Sequence, residues 1–284
     1  NVNKEEQPFT CSIAKAHDLL GHRNENEIRE TAKHLGWKIT RGSFGVCESC
    51  TEAKAKQKNL PRHPQQPPST RNNNRMYLDI STIRKTKDGP QVSKGNWRIL
   101  VDERTQMKWS DFFNRKNEMV EPTCEKLYQL IEAGKEIKYL RMDNAGENLL
   151  LEKQLKSNTW KLGAIVIEYT ARNTPQQNNL AELGFAHLAN YGRALMVRAN
   201  VPLKERYRFF TKAFQTATLL DGFGIIEIDG VKKTRYEHYY GDNPKFANHL
   251  RTWGKAGTVT TTGVSPTTVV RPFYSSILPL LSLH

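Results

Sequence analysis

Two histidines and two cysteines near the N-terminus have the residue types and spacing of a structural zinc site. His17 and His22 stand in AHDLLGH, and Cys47 and Cys50 form the motif CESC. A two-residue gap lets two thiolates bind one tetrahedral ion, and two imidazoles five residues apart on a helix can still converge. Two imidazoles and two thiolates leave no open coordination position. The pattern therefore predicts a zinc ion that stabilises a small subdomain.

A simpler interpretation of the same residues is that the histidines are solvated and that CESC is an ordinary loop without a metal. The combination of an HxxxxH pair with a CxxC pair favours zinc over that interpretation. Cys11 is an alternative ligand that is more simply explained as a buried side chain. Cys124 falls on an amphipathic helical pattern and is predicted to belong to the core.

Three carboxylates have local settings that distinguish them from the other acids. Asp79 alternates with Leu78 and Ile80 in MYLDIS, where an acid in a strand is costly unless it faces a ligand or a metal. Asp143 follows the strand-like IKYLRM, and Glu182 lies near the start of a long helical pattern. Three such carboxylates would hold two magnesium or manganese ions about 4 Å apart and activate a water or hydroxyl for phosphoryl transfer.

Each of these acids also has a simpler explanation. An acid near a helix start, such as Glu182, is commonly a cap or a solvated charge. Composition and spacing also leave four competitors for the same role: Asp102, Asp111, Glu147 and Glu168. From the residues alone, the triad is a hypothesis.

The elements that must position these side chains follow from the pattern of apolar residues. Strands are predicted at MYLDIST, NWRILVDE, KWSDFFN, IKYLRMD and AIVIEY. Helices are predicted at EPTCEKLYQLIEAGK, at LLLEKQLKSNTWKLG, over residues 176–200 and at LKERYRFFTKAFQTATLL. Three strands followed by alternating helices and strands predict the α/β class with a mixed sheet.

Composition divides the chain into five segments. They are a zinc-binding unit at 11–52, a basic proline-rich linker at 53–75, the α/β core at 76–200, a helical segment at 201–257 and a loosely structured tail at 258–284. The linker has six lysines and arginines and no acid. Its Lys54, Lys56, Lys58 and Arg62 are predicted to bind a DNA backbone without reading bases.

The charge of the whole chain points to the same class of partner. Its 284 residues include 43 basic and 29 acidic side chains, which gives a formal net charge of +14. Nucleic acid is the commonest reason for such an excess. Four cysteines are too few for a disulfide scaffold, and collagen-like, coiled-coil and membrane-spanning classes are excluded. We expect a reducing, intracellular setting.

Taken in order, the motifs resemble the integrase of a Ty1/copia-type LTR retrotransposon, a part of a Gag-Pol polyprotein. HDLLGH with CESCTEAKAKQ resembles the HHCC zinc-binding pre-integrase domain. YLDIST, YLRMDNAGE and TPQQNNLAE resemble the segments that carry the two catalytic aspartates and the catalytic glutamate. LVDERTQMKWSDFF is similar to the hairpin with a D-x-x-T-r motif, and YGDNPKFANHLRTWGKAG to the segment after the core. The resemblance covers about residues 15–257.

The resemblance implies an RNase H-like integrase core with a five-stranded mixed sheet and flanking helices. In the chain, this core is preceded by a small helical zinc-binding domain. The resemblance also implies that Asp79, Asp143 and Glu182 bind Mg²⁺ or Mn²⁺ and that the His–Cys set binds Zn²⁺. The implied reaction is DNA integration, in which the ends of the element cDNA are trimmed and then joined to target DNA. A homo-oligomer without membrane association is expected, in the nucleus after a stage in cytoplasmic virus-like particles.

The sequence departs from the family pattern just after the glutamate. Leu183, Gly184 and Phe185 stand where relatives often have a basic residue, and the next arginine is Arg193. This weakens the DNA-contacting face expected for that helix. A second hypothesis is therefore a catalytically inactive or domesticated remnant that binds DNA. A third, an RNase H-type nuclease on the same fold, is disfavoured by the HHCC motif.

Overall fold

The structure is a computed structural model that describes residues 8–40, 42, 44–54, 74–83, 92–157, 159–170 and 178–255. The strands are β1 (Thr10–Cys11), β2 (Lys38–Ile39), β3 (Arg75–Thr82), β4 (Asn96–Asp102), β5 (Lys108–Phe113), β6 (Tyr139–Met142), β7 (Val166–Tyr169), β8 (Ile225–Ile228) and β9 (Val231–Thr234). The helices are α1 (Ile13–Leu19), α2 (Glu25–His34), α3 (Glu48–Lys54), α4 (Val120–Glu132), α5 (Gly146–Leu155), α6 (Asn179–Arg198), α7 (Arg206–Asp221) and α8 (Arg235–Tyr240).

Packing divides the chain into two compact units. One combines Asn1–Ala55 with Asn190–His284, and the other is Lys56–Ala189. The five predicted segments stay a prediction, and the predicted tail and most of the predicted linker lie outside the described residues. In the part of the chain that is described, no helix has the length and apolar character needed to span a bilayer.

The second unit is built on a five-stranded mixed sheet in the order β5-β4-β3-β6-β7. Strands β3, β4 and β5 are antiparallel neighbours, whereas β6 and β7 run parallel to β3. All five strands were predicted from β-branched and aromatic content, and α4, α5 and α6 follow the strands as expected. The strand order confirms the predicted α/β class and is that of the RNase H-like fold.

The central strand β3 separates the two faces of this sheet. Met76, Leu78 and Ile80 are buried on one face, and the alternation of strand side chains directs Tyr77 and Asp79 to the other. The apolar face of α4 supplies the fully buried Cys124 and Leu127, as its helical periodicity predicted.

Helix α6 covers the face that carries Asp79. Phe185 packs edge-on against Trp97, with ring centroids 4.8 Å apart. A Cβ at Gly184 would lie 2.8 Å from Cδ1 of Ile99, which is the cross-strand partner of Asp79. The absence of a side chain at Gly184 thus lets the first turns of α6 approach the sheet closely.

In the other unit, the N-terminal helices pack against the segment after α6. The Thr31 hydroxyl of α2 donates to the carbonyl of Phe223 at 3.1 Å, and the Trp37 indole donates to Asn248 at 2.9 Å. The Arg23 guanidinium, 2% exposed, donates to the carbonyl of Leu220 at 2.6 Å. The predicted zinc-binding segment is therefore not packed by its own residues alone.

Two details of the elements differ from the sequence-based prediction. The helix expected over residues 149–163 is α5, which begins and ends earlier at Gly146–Leu155. The hairpin of β8 and β9 was not predicted, although its Asp229–Gly230 turn, with both residues at positive φ, is a strong hairpin signal.

Candidate functional site

The structure brings His17, His22, Cys47 and Cys50 into one cluster. One ligand atom from each lies within 4.8 Å of the others. Nε2 of His17 is 3.2 Å from Sγ of Cys50, and Nδ1 of His22 is 3.5 Å from Sγ of Cys47. Nitrogen and sulfur ligands of one tetrahedral zinc ion lie about 3.5 Å apart, given their usual bond lengths to zinc. The cluster therefore has the donor set and the dimensions of a structural zinc site.

A tight turn, rather than helical spacing, brings the two histidines together. Helix α1 includes His17 in its last turn and ends at Leu19. Gly21 and His22 both have positive φ, at 81° and 61°, and the His22 amide donates to the His17 carbonyl at 2.8 Å. The chain thus reverses after the helix and directs the second imidazole back toward the first.

The protonation of His17 suits a metal ligand. Its Nδ1 lies 2.8 Å from the carbonyl oxygen of Arg23. A carbonyl only accepts, so Nδ1 carries the proton and Nε2 presents its lone pair toward Cys50. The cluster does not include Cys11, which is buried, and burial raises the pKa of its thiol. Cys124 is fully buried, as predicted, and burial raises the pKa of its thiol to about 12.

The three predicted carboxylates lie at neighbouring positions on the sheet and on α6. Asp79 is in β3, Asp143 directly follows the parallel neighbour β6, and Glu182 is in the first turn of α6. Burial, followed by the charges of Asp143 and Glu182, raises the pKa of Asp79 to about 6. The three acids therefore interact, although within the described residues they form no group as close as the His–Cys cluster.

Two buried asparagines, which the sequence analysis did not single out, hold this region in place. Asn148, fully buried at the start of α5, donates to the Asp143 carboxylate at 2.5 Å and to its carbonyl at 3.1 Å. Asn178, just before α6, donates to the carbonyl of Leu78 at 3.3 Å. The strings of polar residues in DNAGEN and TPQQNN were the only sequence signal for them.

Two of the four competing acids have structural roles in the β4–β5 hairpin. The carboxylate of Asp102 accepts hydrogen bonds from the amide and the hydroxyl of Thr105, both at 2.7 Å. This contact closes the turn in which the D-x-x-T resemblance was noted. Asp111 pairs with Arg98, whose guanidinium is fully buried.

The other two competitors are also ion-paired. Glu147 lies 3.2 Å from the ammonium of Lys116. Glu168 contacts Arg75 at 2.9 Å and Arg141 at 2.8 Å. By contrast, no ion pair among the described residues includes an acid of the triad. Within the part of the chain that is described, the three carboxylates thus have no ion-paired basic partner, and a divalent cation fits this donor set.

A row of polar side chains lies beside the triad on the same face of the sheet. Tyr77, Arg141 and Glu168 are cross-strand partners on β3, β6 and β7, two residues before the positions of Asp79 and Asp143. The Tyr77 hydroxyl donates to Glu103 at 3.1 Å. This hydrogen-bonded row fixes the strands from which the two aspartates project.

The predicted DNA-binding residues fall outside what the structure describes. Lys56, Lys58 and Arg62 lie outside the described residues, as does the side chain of Lys54. On α6, Leu183 is exposed, whereas Gly184 and Phe185 pack on β4.

Strand order, flanking helices and the N-terminal His–Cys cluster together define an RNase H-like integrase-core fold with a small candidate zinc site. No family model and no curated protein matches the sequence.

Several solved structures are similar at low identity. The HTLV-2 integrase catalytic core domain in complex with magnesium is 14% identical, with a TM-score of 0.38, over 58% of this chain and 95% of that one. The BIV integrase catalytic core domain is 13% identical, with a TM-score of 0.40, over 60% and 95%. A simian T-cell lymphotropic virus intasome in complex with the PP2A regulatory subunit B56 gamma is 16% identical, with a TM-score of 0.42, over 88% and 80%. Because these values are low, the fold assignment rests on the strand order and packing of this chain.

Proposed function

We propose that this protein is a DNA-integrating polynucleotidyl transferase of the Ty1/copia retrotransposon type. It would process the 3′ ends of element cDNA and transfer them to target DNA. The observation that carries this proposal is the carboxylate triad, which has no basic partner among the described residues and lies on an RNase H-like sheet. The ordered motifs along the chain support the narrower retrotransposon assignment.

Asp79, Asp143 and Glu182 would hold the magnesium or manganese ions. When bound, such ions activate the attacking water or 3′-hydroxyl and stabilise the leaving oxygen of the phosphodiester. The chain itself orients the donors. Asn148 fixes the Asp143 carboxylate, and the Ile80 amide donates to the Asp79 carboxylate at 2.8 Å. Burial, and after it the charges of Asp143 and Glu182, raises the pKa of Asp79, so a bound cation would offset the cost of ionising this carboxyl.

The proposed substrates are the ends of element cDNA and target DNA. A net charge of +14 supports a polyanionic partner. The zinc ion at the His–Cys cluster would be structural. Joining two cDNA ends in concert needs two active sites, so we propose a homo-oligomer. It would act in the nucleus after a cytoplasmic virus-like particle stage, without a membrane.

A strand-transfer assay tests the proposal. The purified chain with Mg²⁺ should join end-mimicking duplexes to a target duplex. Asp143→Asn should abolish joining because it removes one metal-binding charge, whereas Glu136→Gln should not. Glu136 is the matched control because it is an exposed acid paired with Lys138, beyond the amino end of β6.

The second hypothesis, an inactive or domesticated remnant that binds DNA, makes a different prediction. Wild type and Asp143→Asn would then bind DNA equally, and neither would join it. The exposed Leu183 in place of a basic residue is the observation that favours this alternative.

A further inference from the structure

A lysine stands at the edge of the sheet where the carboxylates lie. Asn96, at the start of β4, pairs with Thr82 at the end of β3 and with Phe113 at the end of β5. Strands β3 and β5 therefore end at the same edge, which is also where the parallel β6 ends. Lys116 begins the 3-10 turn that follows β5 and so lies at this edge.

Lys116 is held by the same helix start that holds Asp143. Its Nζ lies 3.2 Å from the carboxylate of Glu147, which is 14% exposed, whereas the lysine side chain is 45% exposed. The next residue, Asn148, donates to the Asp143 carboxylate at 2.5 Å. The first turn of α5 thus fixes one triad carboxylate and one ammonium group at adjacent positions.

The ammonium of Lys116 lies near enough to Asp79 for its charge to act on that carboxyl. Its charge lowers the pKa of Asp79, against the larger effect of burial and the repulsion from the other two acids. Lys116 is nevertheless paired with Glu147 and not with any triad acid. Lys116 is therefore close to the triad carboxylates but forms no ion pair with them.

This arrangement suits recognition of a phosphate. A nucleic-acid strand that reaches the triad brings anionic oxygens to a site surrounded by acids, and a cation beside the site offsets that repulsion. A lysine ammonium is a flexible point charge that binds phosphate without demanding a bidentate geometry. Its half-exposed side chain can contact a strand while the partly buried Glu147 holds its ammonium beside the triad.

We propose that Lys116 is a DNA-contacting residue whose ammonium binds a phosphate oxygen of the strand in the carboxylate site, and that Glu147 is the positioning residue that aims it. The inference deepens the proposed function and rests on it, since it takes DNA as the ligand of this site.

The test measures DNA binding separately from catalysis. A fluorescein-labelled duplex with an end-mimicking sequence is titrated in Ca²⁺ at several salt concentrations. Loss of one phosphate contact in Lys116→Met should reduce the slope of log affinity against log salt by about 0.9 and weaken binding several-fold at low salt. Lys116→Arg should restore both, because it keeps the charge.

The chain offers a matched control pair. Lys138 is an exposed lysine that pairs with Glu136 at 2.7 Å, just before β6 and so at the opposite edge of the sheet. Lys138→Met and Glu136→Gln should leave the slope unchanged. Glu147→Gln should keep the slope, because the lysine remains, but lower the rate of strand transfer. Thermal unfolding of each variant confirms that the fold is intact.

The outcomes separate this inference from the proposed function. An unchanged slope in Lys116→Met, or an equal change in Lys138→Met, overturns the inference whether or not wild type joins DNA. A loss of slope confined to Lys116→Met, in a protein that joins no DNA, supports the contact and overturns the proposed activity.

Discussion

At the scale of single residues, the partners of each acid distinguish the triad from its competitors. The sequence placed seven acids in or near strands and helix starts, and it favoured three of them without excluding the other four. The structure gives Asp102 a turn-closing role and pairs Asp111, Glu147 and Glu168 with basic residues. Pairing of this kind depends on residues far apart in the chain, so spacing alone could not reveal it. The four residues of the His–Cys cluster were easier to predict, because each pair is a local motif.

The His–Cys cluster leads to a prediction about metal content. The native protein should contain one zinc ion per chain, and Cys47→Ser should lose it because a serine hydroxyl does not replace a thiolate as a zinc ligand. Cys11→Ser is the control, since Cys11 lies outside the cluster. Elemental analysis of purified protein measures both. Zinc that persists in Cys47→Ser, or its absence from wild type, would contradict the assignment.

The raised pKa of Asp79 leads to a prediction about stability and pH. Its folded pKa of about 6 exceeds the ordinary value of 3.8, so the folded state binds the proton more tightly than the unfolded chain. The free-energy cost of ionising Asp79 in the folded state is absent below about pH 4. This cost grows as the pH rises toward 6, and it persists at higher pH. Asp79→Asn should therefore be more stable than wild type at pH 8, by on the order of 1–3 kcal/mol without added magnesium.

Urea unfolding at pH 4 and pH 8 measures this difference. The stability difference between the two proteins should be much smaller at pH 4, where Asp79 is protonated in the folded state and partly protonated in the unfolded chain. Added Mg²⁺ should stabilise wild type and not Asp79→Asn, so that wild type becomes the more stable of the two proteins. A stability difference that does not change between the two pH values would show that Asp79 is not the group responsible.

At the scale of elements, local patterns predicted the strands well and helix bounds less well. Strands β3 to β7 combine β-branched and aromatic runs with buried faces, so each was recognisable. Helix α5 begins at Gly146 beside the local hydrogen bond of Asn148 to Asp143, and α6 begins at Asn179 after Asn178, which contacts the distant Leu78. No periodicity of apolar residues encodes either contact. The β8–β9 hairpin was missed because its exposed strands lack a clear apolar alternation, although the Asp-Gly turn was present in the sequence.

A charge cluster joins the predicted zinc-binding segment to the elements after α6. Arg23, whose carbonyl accepts from His17, lies 3.6 Å from Asp221, and Arg235 lies 3.9 Å from the same carboxylate. A Cβ at Gly224 would meet the guanidinium groups of both arginines at 1.9 and 2.3 Å. Only glycine fits there without displacing a group that contacts the zinc-binding turn.

We therefore expect Gly224→Ala to weaken both folding and zinc retention. Overpacking against the buried Arg23 guanidinium and the partly buried Arg235 guanidinium should cost about 1–3 kcal/mol of unfolding free energy. Because Arg23 is displaced, zinc should also be lost at a lower concentration of a competing chelator. Gly163→Ala is the control, since its Cβ would meet only one carbonyl oxygen, at 4.0 Å. Destabilisation with unchanged zinc affinity would mean that the two features are not coupled.

At the scale of the whole molecule, composition indicated nucleic acid before any motif did. The excess of positive charge is a property of the sum of residues, so it predicted the class of partner but neither the chemistry nor its location. The structure adds that acids are concentrated where phosphodiester chemistry would occur, while Leu183 contributes no charge beside Glu182. The proposed function therefore places DNA binding and phosphodiester chemistry on different residues.

This separation predicts how binding should respond to salt. If the acid-free segment 53–75 follows a DNA backbone, each lysine neutralised there removes about one released counterion. Replacing Lys54, Lys56 and Lys58 together should then flatten the slope of log affinity against log salt by up to about three units, and the loss should be the same for unrelated DNA sequences. Strand transfer at saturating DNA should be retained, because no triad acid is changed. Fluorescence anisotropy with two unrelated duplexes measures the slopes, and an unchanged slope would remove this segment from the DNA interface.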